Sequence, residues 1–258
     1  LAINSIKFAV SPYQLYFAGV LSLLLGLYSF TLPNCPIIKS VEKKTWVDAL
    51  GLRAFALFKE KKMAIFFIFA MLLGFALQIT NAFGNSYLTN FFGNIPEYQN
   101  TFGVKHANIL ISLSQMSETL CILLIPFFLK RYGIKKVMLI SMAAWVLRFG
   151  LLGAGNPGNG VWMLILSMIV YGVAFDFFNI SGALFVEQET DISIRSSAQG
   201  VFMIMTNGFG AFFGSYVAGA VVDKIGWPYS WYVFAVYALI VTILFAFVFK
   251  YKHEPNKA

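Results

Sequence analysis

Three pairs of polar residues interrupt long apolar stretches of this sequence, and both members of each pair lie on one helical face. They are Gln78 with Asn81, Gln115 with Glu118, and Asp176 with Asn179. Residues three positions apart are neighbours on a helix surface. Amides donate and accept hydrogen bonds, whereas ionised carboxylates only accept them. We therefore expect the set to bind a neutral solute rich in hydroxyl or amide groups rather than an ion.

Polar residues of this kind also have a simpler use, because side-chain hydrogen bonds between membrane helices stabilise them by about 0.6 kcal/mol each. That explanation suits the amides Gln78 and Asn81 better than the two carboxyl groups. A carboxylate at mid-membrane is costly and is seldom needed for one contact between helices. Glu118 and Asp176 are therefore the polar residues that helix packing explains least well.

Aromatic residues accompany the third pair. Tyr171 and Phe175 are four residues apart, and Phe175 directly precedes Asp176. An aromatic face beside amides can stack a planar base. The chain has 28 phenylalanines, so lipid contact and helix packing are the alternative roles for any one of them.

The elements that carry these residues are predicted from hydropathy. The chain is 59% hydrophobic and 12% charged, whereas soluble domains have about 25% charged residues. A membrane-spanning helix needs roughly 20 mostly apolar residues, and within lipid its backbone groups must pair internally. The sequence therefore predicts an all-α membrane protein with seven transmembrane helices. They cover about residues 12–32, 62–88, 107–129, 134–154, 160–187, 197–222 and 229–249.

Basic residues predict the orientation of these helices. Of the 19 lysines and arginines, 15 fall in the loops 33–61 (with Lys62), 130–136 and 188–196 and in the C-terminal tail, and 3 fall on the other side. Such a bias places the basic side and the C-terminus in the cytoplasm. The net charge of +8 is spread over these loops, which argues against nucleic-acid binding. Residues 45–59 mix aromatic and charged side chains and predict a short helix on the membrane surface.

Two further features within the spans concern helix packing. Arg148 lies inside the fourth span. It is expected either to pair with a carboxylate such as Asp176 or to snorkel outward. Gly210 and Gly214 form a GxxxG pattern in the sixth span, and this pattern predicts a close approach of two helices.

Other classes of protein fit the sequence less well. Cys35, Cys121, His106 and His253 form no CxxC motif or Cys/His cluster, so we expect no disulfide, metal site or cofactor. The sequence has no His-rich or paired-Asp metal motif either, and we predict that the protein is not an enzyme. Seven spans with an outer N-terminus also fit a seven-helix receptor, but the last span lacks the lysine of a retinal protein.

Several motifs resemble those of a known transporter family. The loop LKRYGIKK at 129–136 resembles a loop motif of the major facilitator superfamily. Five further strings are similar to the nucleoside:proton symporter family, the bacterial nucleoside permeases. They are QITNAFG (78–84), SQMSETL (114–120), RFG (148–150), YGVAFDFFNISG (171–182) and RSSAQG (195–200).

The resemblance covers nearly the whole chain and implies helices six to twelve of a twelve-helix major facilitator fold. Residues 1–32 would be the last helix of the N-terminal half, 33–61 a cytoplasmic linker with a short interfacial helix, and 62–258 the C-terminal six-helix bundle. The first residue is Leu, and we expect the chain to be a fragment whose N-terminal half is missing.

The resemblance also implies a function, which is import of nucleosides with protons by alternating access across the bacterial inner membrane. Its partners would be a nucleoside, protons, the lipid bilayer and the missing half. The alternative solute is another small molecule such as a sugar. By the resemblance, the substrate site would be lined by Gln78, Asn81, Gln115, Glu118, Tyr171, Phe175 and Asp176. Asn179, which shares the polar face of Asp176, is expected to join them. Of the two carboxyl groups, Glu118 would be the first candidate for proton coupling and Asp176 the second.

Overall fold

The computed structural model describes residues 12–33, 46 and 51–251 of the chain. The chain divides into two compact units, residues 1–44 and 45–258. The first unit contains helix α1 (Tyr13–Ser29), which follows Pro12 and has 17 residues. At its C-terminal end, the Ser29 hydroxyl donates to the Gly26 carbonyl and the Thr31 hydroxyl donates to the Tyr28 carbonyl.

In the described part of the second unit, all regular secondary structure is helical. Its α-helices are α2 (Lys61–Ser86), α3 (Phe102–Lys105), α4 (Ala107–Ala154), α5 (Val161–Glu189), α6 (Arg195–Met203), α7 (Ala211–Ile225) and α8 (Tyr229–Val248). A π-helical segment (Tyr87–Phe91) and a 3-10 turn (Phe92–Asn94) extend α2, and a second π-helical segment (Ile204–Gly210) joins α6 to α7.

A 3-10 helix over Leu52–Lys59 precedes α2 and coincides with the second half of the predicted surface helix. Its buried residues are Ala54 and Leu57, which pack into the main hydrophobic core. The first half of that prediction falls mostly on residues outside the described ranges, as do Cys35 and His253.

Five helices in the described part of the chain are long and apolar enough to cross a membrane. They are Lys61–Asn94, Ala107–Ala154, Val161–Glu189, Arg195–Ile225 and Tyr229–Val248. These helices confirm the prediction of a helical, multi-pass membrane protein. The count differs from the predicted seven for two reasons. Helix α4 contains two of the predicted spans, and α1 is shorter than the other candidate spans.

Gly133 divides α4 into two arms, residues 107–132 and 134–154. Its φ is 75° and its ψ is 167°, outside the helical region. Glycine adopts positive φ readily because it has no Cβ. The glycine of the LKRYGIKK loop therefore lets two consecutive helices be joined without a longer connection, at the place where the sequence predicted a short loop.

The helices of the second unit pack around a main, aromatic-rich core and a smaller cluster that includes Cys121 and Phe177. Both α5 and α8 contact α4, and α2 crosses the segment that runs from α6 to α7. The largest fully buried side chains include Trp145, Trp231 and Phe66. The predicted close approach at the GxxxG pattern is confirmed. A Cβ on Gly210 would lie 2.7 Å from the Met71 carbonyl oxygen, and one on Gly214 would lie 2.8 Å from the Phe75 Cα.

Candidate functional site

A cavity of about 270 Å³ lies between α2, both arms of α4 and α5. It is lined by polar, aromatic and charged side chains from segments that cross the membrane. These are Thr80, Asn81, Gly84 and Asn85 of α2, Ile111, Ser114, Gln115 and Glu118 of the first arm of α4, Arg148 of its second arm, and Met168 and Tyr171 of α5. Such a polar surface is costly in lipid, so the cavity is a candidate solute site.

Four of the eight predicted site residues meet in this cavity: Asn81, Gln115, Glu118 and Tyr171. Asn81 and Gln115 are exposed, and Glu118 is half-buried. Their side chains offer donors and acceptors to a solute from two different helices. The other four, Gln78, Phe175, Asp176 and Asn179, are not among the residues that line it.

Phe175 lies next to the cavity and contacts its aromatic residue. The rings of Tyr171 and Phe175 stack with centroids 5.8 Å apart and an angle of 2° between their planes. Phe175 and Asn179 also line a narrow pocket of about 10 Å³ that Thr206 borders. The Asn179 side-chain amide donates to the Phe175 carbonyl at 3.1 Å, so part of its hydrogen-bonding capacity is used within α5.

Asp176 is buried, with 6% of its surface exposed. Its Oδ2 atom accepts no hydrogen bond from any described residue. Buried polar atoms nearly always have a partner, so the unpaired oxygen calls for an explanation, and a carboxyl group that binds a proton is one. Asp176 thus remains a candidate for proton coupling although it lies outside the cavity.

Arg148 differs from both sequence-based expectations. It does not snorkel, since only 3% of its surface is exposed, and among the described residues no ion pair joins it to Asp176. Instead its Nη1 donates to the Ser167 carbonyl at 2.6 Å, and its Cζ lies 4.4 Å from the ring centroid of Tyr171. The guanidinium therefore spans from the second arm of α4 to α5 and reaches the cavity.

Several other residues that line the cavity were not predicted from the sequence. The Thr80 hydroxyl is buried without a partner among the described residues, and the Ser114 hydroxyl donates to the Met168 sulfur at 3.1 Å. Single hydroxyls in apolar helices give no spacing signal. Asn85 was detectable, because it is four residues after Asn81 and so continues the same polar face.

The described residues contain no group of three or more His, Cys, Asp or Glu side chains that could hold a metal ion. Cys121 is a buried free thiol. The side chains that line the cavity can form hydrogen bonds, stack on a planar group and titrate through a carboxyl group.

Known permeases share about half of their residues with this chain over the matched length. The xanthosine permease of Escherichia coli K12 is 53% identical over 263 residues, which cover 99% of this chain and 63% of that protein. The nucleoside permease NupG of the same organism is 53% identical over 253 residues, covering 95% of this chain and 60% of NupG. A crystal structure of the nucleoside transporter NupG matches with a TM-score of 0.78 at 52% identity, over 97% of this chain and 63% of that one.

This chain thus spans about three fifths of the length of these relatives. A family model described as nucleoside H⁺ symporter matches residues 1–254. Because that match takes in nearly the whole sequence, the chain belongs to the nucleoside H⁺ symporter family.

Proposed function

We propose that the chain is the C-terminal part of a secondary active transporter that imports nucleosides together with protons. The observation that carries this proposal is the cavity, in which three exposed amides, a carboxyl group and an aromatic ring converge within membrane-spanning helices. The names of the relatives, xanthosine permease and nucleoside permease, supply the solute class. The protein is a transporter rather than an enzyme.

The solute is held by hydrogen bonds and by stacking. Asn81 and Gln115 bind sugar hydroxyls or the edges of the base, because amides can donate and accept. Tyr171 forms the aromatic wall, and the ring of Phe175 stacks against it. A volume of about 270 Å³ lies near the lower end of the roughly 300–1,000 Å³ of ligand pockets and suits a small solute. Gln78, Asp176 and Asn179 contribute when the cavity changes shape during alternating access.

The proton is carried by a carboxyl group, with Glu118 as the first candidate and Asp176 as the second. Glu118 faces the cavity and lies on the same helical face as Gln115. One helix can therefore present both the proton-binding group and a solute-binding amide, which is a direct way to couple the two. Asp176 remains the second candidate because its buried Oδ2 atom has no hydrogen-bond partner among the described residues.

The architecture that we propose has seven helices, which correspond to helices six to twelve of a major facilitator fold. The two arms of α4 are separate spans, and α1 is the last helix of the N-terminal half. Residues 33–61 are a cytoplasmic linker, and 62–258 are the C-terminal bundle. The basic loops and the C-terminus face the cytoplasm of a bacterium, at its inner membrane, and the partners are the lipid bilayer and the missing N-terminal half.

The proposal is tested by uptake into vesicles that contain the full-length transporter. An inward proton gradient should drive uridine above its outer concentration, and glucose should neither accumulate nor compete. Collapse of the gradient with a protonophore should abolish accumulation. Accumulation of glucose instead of uridine would support the sugar alternative and contradict the nucleoside assignment.

A further inference from the structure

Arg148 occupies an unusual environment for a cation. It lies in the second arm of α4, it is 3% exposed, and it lines the cavity. Its Nη1 donates to the backbone carbonyl of Ser167, and the Ser167 hydroxyl is 3.4 Å from the Arg148 carbonyl oxygen. The Nε atom is buried and has no partner among the described residues.

These contacts leave the charge of Arg148 without a full counterpart. A backbone carbonyl and the face of a Tyr171 ring stabilise a guanidinium only in part. Buried charges in membrane proteins are normally paired, and they mark functional positions. The unpaired Nε and the position beside the cavity indicate that Arg148 has a negatively charged partner in another state of the site.

The residues that line the cavity identify that partner. Its ionisable members besides Arg148 are Glu118 from the first arm of α4 and Tyr171 from α5. Helix α2 contributes only neutral side chains, and α8, which packs against the same arm, contributes none. Asp176 also belongs to α5 but does not line the cavity. Glu118 is therefore the carboxylate that Arg148 can meet across the cavity.

We propose that Arg148 is a positioning residue, the counter-ion that stabilises deprotonated Glu118 across the cavity and thereby sets the pH at which the site releases its proton. This inference rests on the proposed function. When Glu118 is protonated, the guanidinium stays on the Ser167 carbonyl and the Tyr171 ring. When the proton leaves Glu118 for cytoplasmic water, the negative charge is balanced by Arg148 rather than buried alone.

The proposal predicts a shift in the pH profile of transport. In Arg148→Gln, deprotonated Glu118 loses its neighbouring cation, so the site should keep its proton to higher pH. We expect the outer pH at which uridine uptake falls to half to rise by about one unit. Arg148→Lys retains the charge and should stay near the wild-type midpoint. Its rate should fall, because an ammonium group cannot reproduce the planar set of guanidinium donors. Lys105→Gln removes an exposed cation outside the cavity and is the matched control.

The measurement is uridine uptake by the full-length transporter in vesicles at a series of outer pH values. An unchanged midpoint in Arg148→Gln, with a wild-type protein that responds to pH, would overturn the inference and leave the proposed function intact. A wild-type protein that shows no proton-driven uridine uptake would instead overturn the proposed function.

A second measurement covers the case in which Arg148→Gln does not fold. Removing the cation leaves deprotonated Glu118 with an uncompensated charge, whereas removing both groups leaves none. The double variant Arg148→Gln, Glu118→Gln should therefore be recovered from membranes at several times the level of Arg148→Gln alone. Equal loss of the single and double variants would contradict a pairing of Arg148 with Glu118.

Discussion

The backbone carbonyl of Thr206 occupies the space that a Cβ atom on Gly74 would need. Helix α2 and the π-helical segment Ile204–Gly210 therefore cross with no side chain between them. The contact is reciprocal, because a Cβ on Gly210 would lie 2.9 Å from the Cα of Gly74. The crossing fixes α2, and with it Asn81, relative to the rest of the bundle.

Substitution of Gly74 by Ala should destabilise the protein. The clash is with backbone on the facing segment, which cannot rotate away, and overpacking of this kind costs about 1–3 kcal/mol. Gly219→Ala is the control, on α7 where that helix faces α2, because its Cβ would meet only the Phe83 ring at 3.8 Å. We expect the midpoint of thermal unfolding in detergent to fall for Gly74→Ala and to hold or rise for Gly219→Ala. Equal midpoints would show that the crossing can open without cost.

The amides of α2 should differ in their effect on binding. Asn81 lines the cavity and Gln78 does not, and each hydrogen bond is worth roughly 0.5–1.5 kcal/mol. Asn81→Ala should therefore weaken uridine binding up to about tenfold, and Gln78→Ala should weaken it less. The assay is equilibrium binding to protein in detergent, with membrane insertion checked by yield. Normal affinity in Asn81→Ala would show that this amide serves only helix packing.

The stacked pair Tyr171 and Phe175 gives a third prediction. Phe175→Leu removes the ring that stacks on Tyr171, an interaction worth about 0.5–1.5 kcal/mol. Uridine affinity should fall in this variant, whereas Phe175→Tyr and Phe175→Trp should retain much of it. Phe212→Leu is the control, since Phe212 is an exposed aromatic residue on α7. If Phe175→Leu and Phe175→Trp bind uridine equally well, Phe175 is only a packing residue.

Helical geometry explains which site residues could be predicted from the sequence. A helix turns by 100° per residue, so Gln78 and Asn81 differ by about 60°, and the edge of the cavity falls between them. Tyr171 and Asp176 differ by about 140° around α5, too much for both to face one cavity. Spacing thus predicts a polar face, but the facing helices decide which of its members reach a solute.

The fold could be predicted from the sequence more completely than the site, because a spanning helix depends on its own residues and a site depends on how helices pack. Long apolar runs predict spanning helices without knowledge of their neighbours, and the loop glycine at 133 marks where α4 bends. The contact of Arg148 with Ser167 depends on how the second arm of α4 packs against α5. No pattern within one helix reports that packing, so the sequence could not predict the Ser167 carbonyl as the partner of Arg148 in this structure.

The last prediction concerns coupling through Glu118. Glu118→Gln keeps the shape of the side chain and its capacity for hydrogen bonding, but it removes the titrating group. A transporter that can no longer bind and release a proton at this position should lose uridine accumulation driven by a pH gradient. It should still bind uridine and exchange labelled for unlabelled uridine across the membrane, because Asn81, Gln115 and Tyr171 remain in the cavity.

The test of Glu118→Gln compares two assays on the same vesicles that contain the full-length transporter. One is accumulation under an imposed proton gradient, and the other is exchange with no gradient. Loss of the first with retention of the second identifies Glu118 as the coupling residue, since a merely misfolded protein would lose both. If Glu118→Gln still accumulates uridine in response to the gradient, the proton is carried elsewhere. Asp176, whose buried Oδ2 has no partner among the described residues, then becomes the residue to replace.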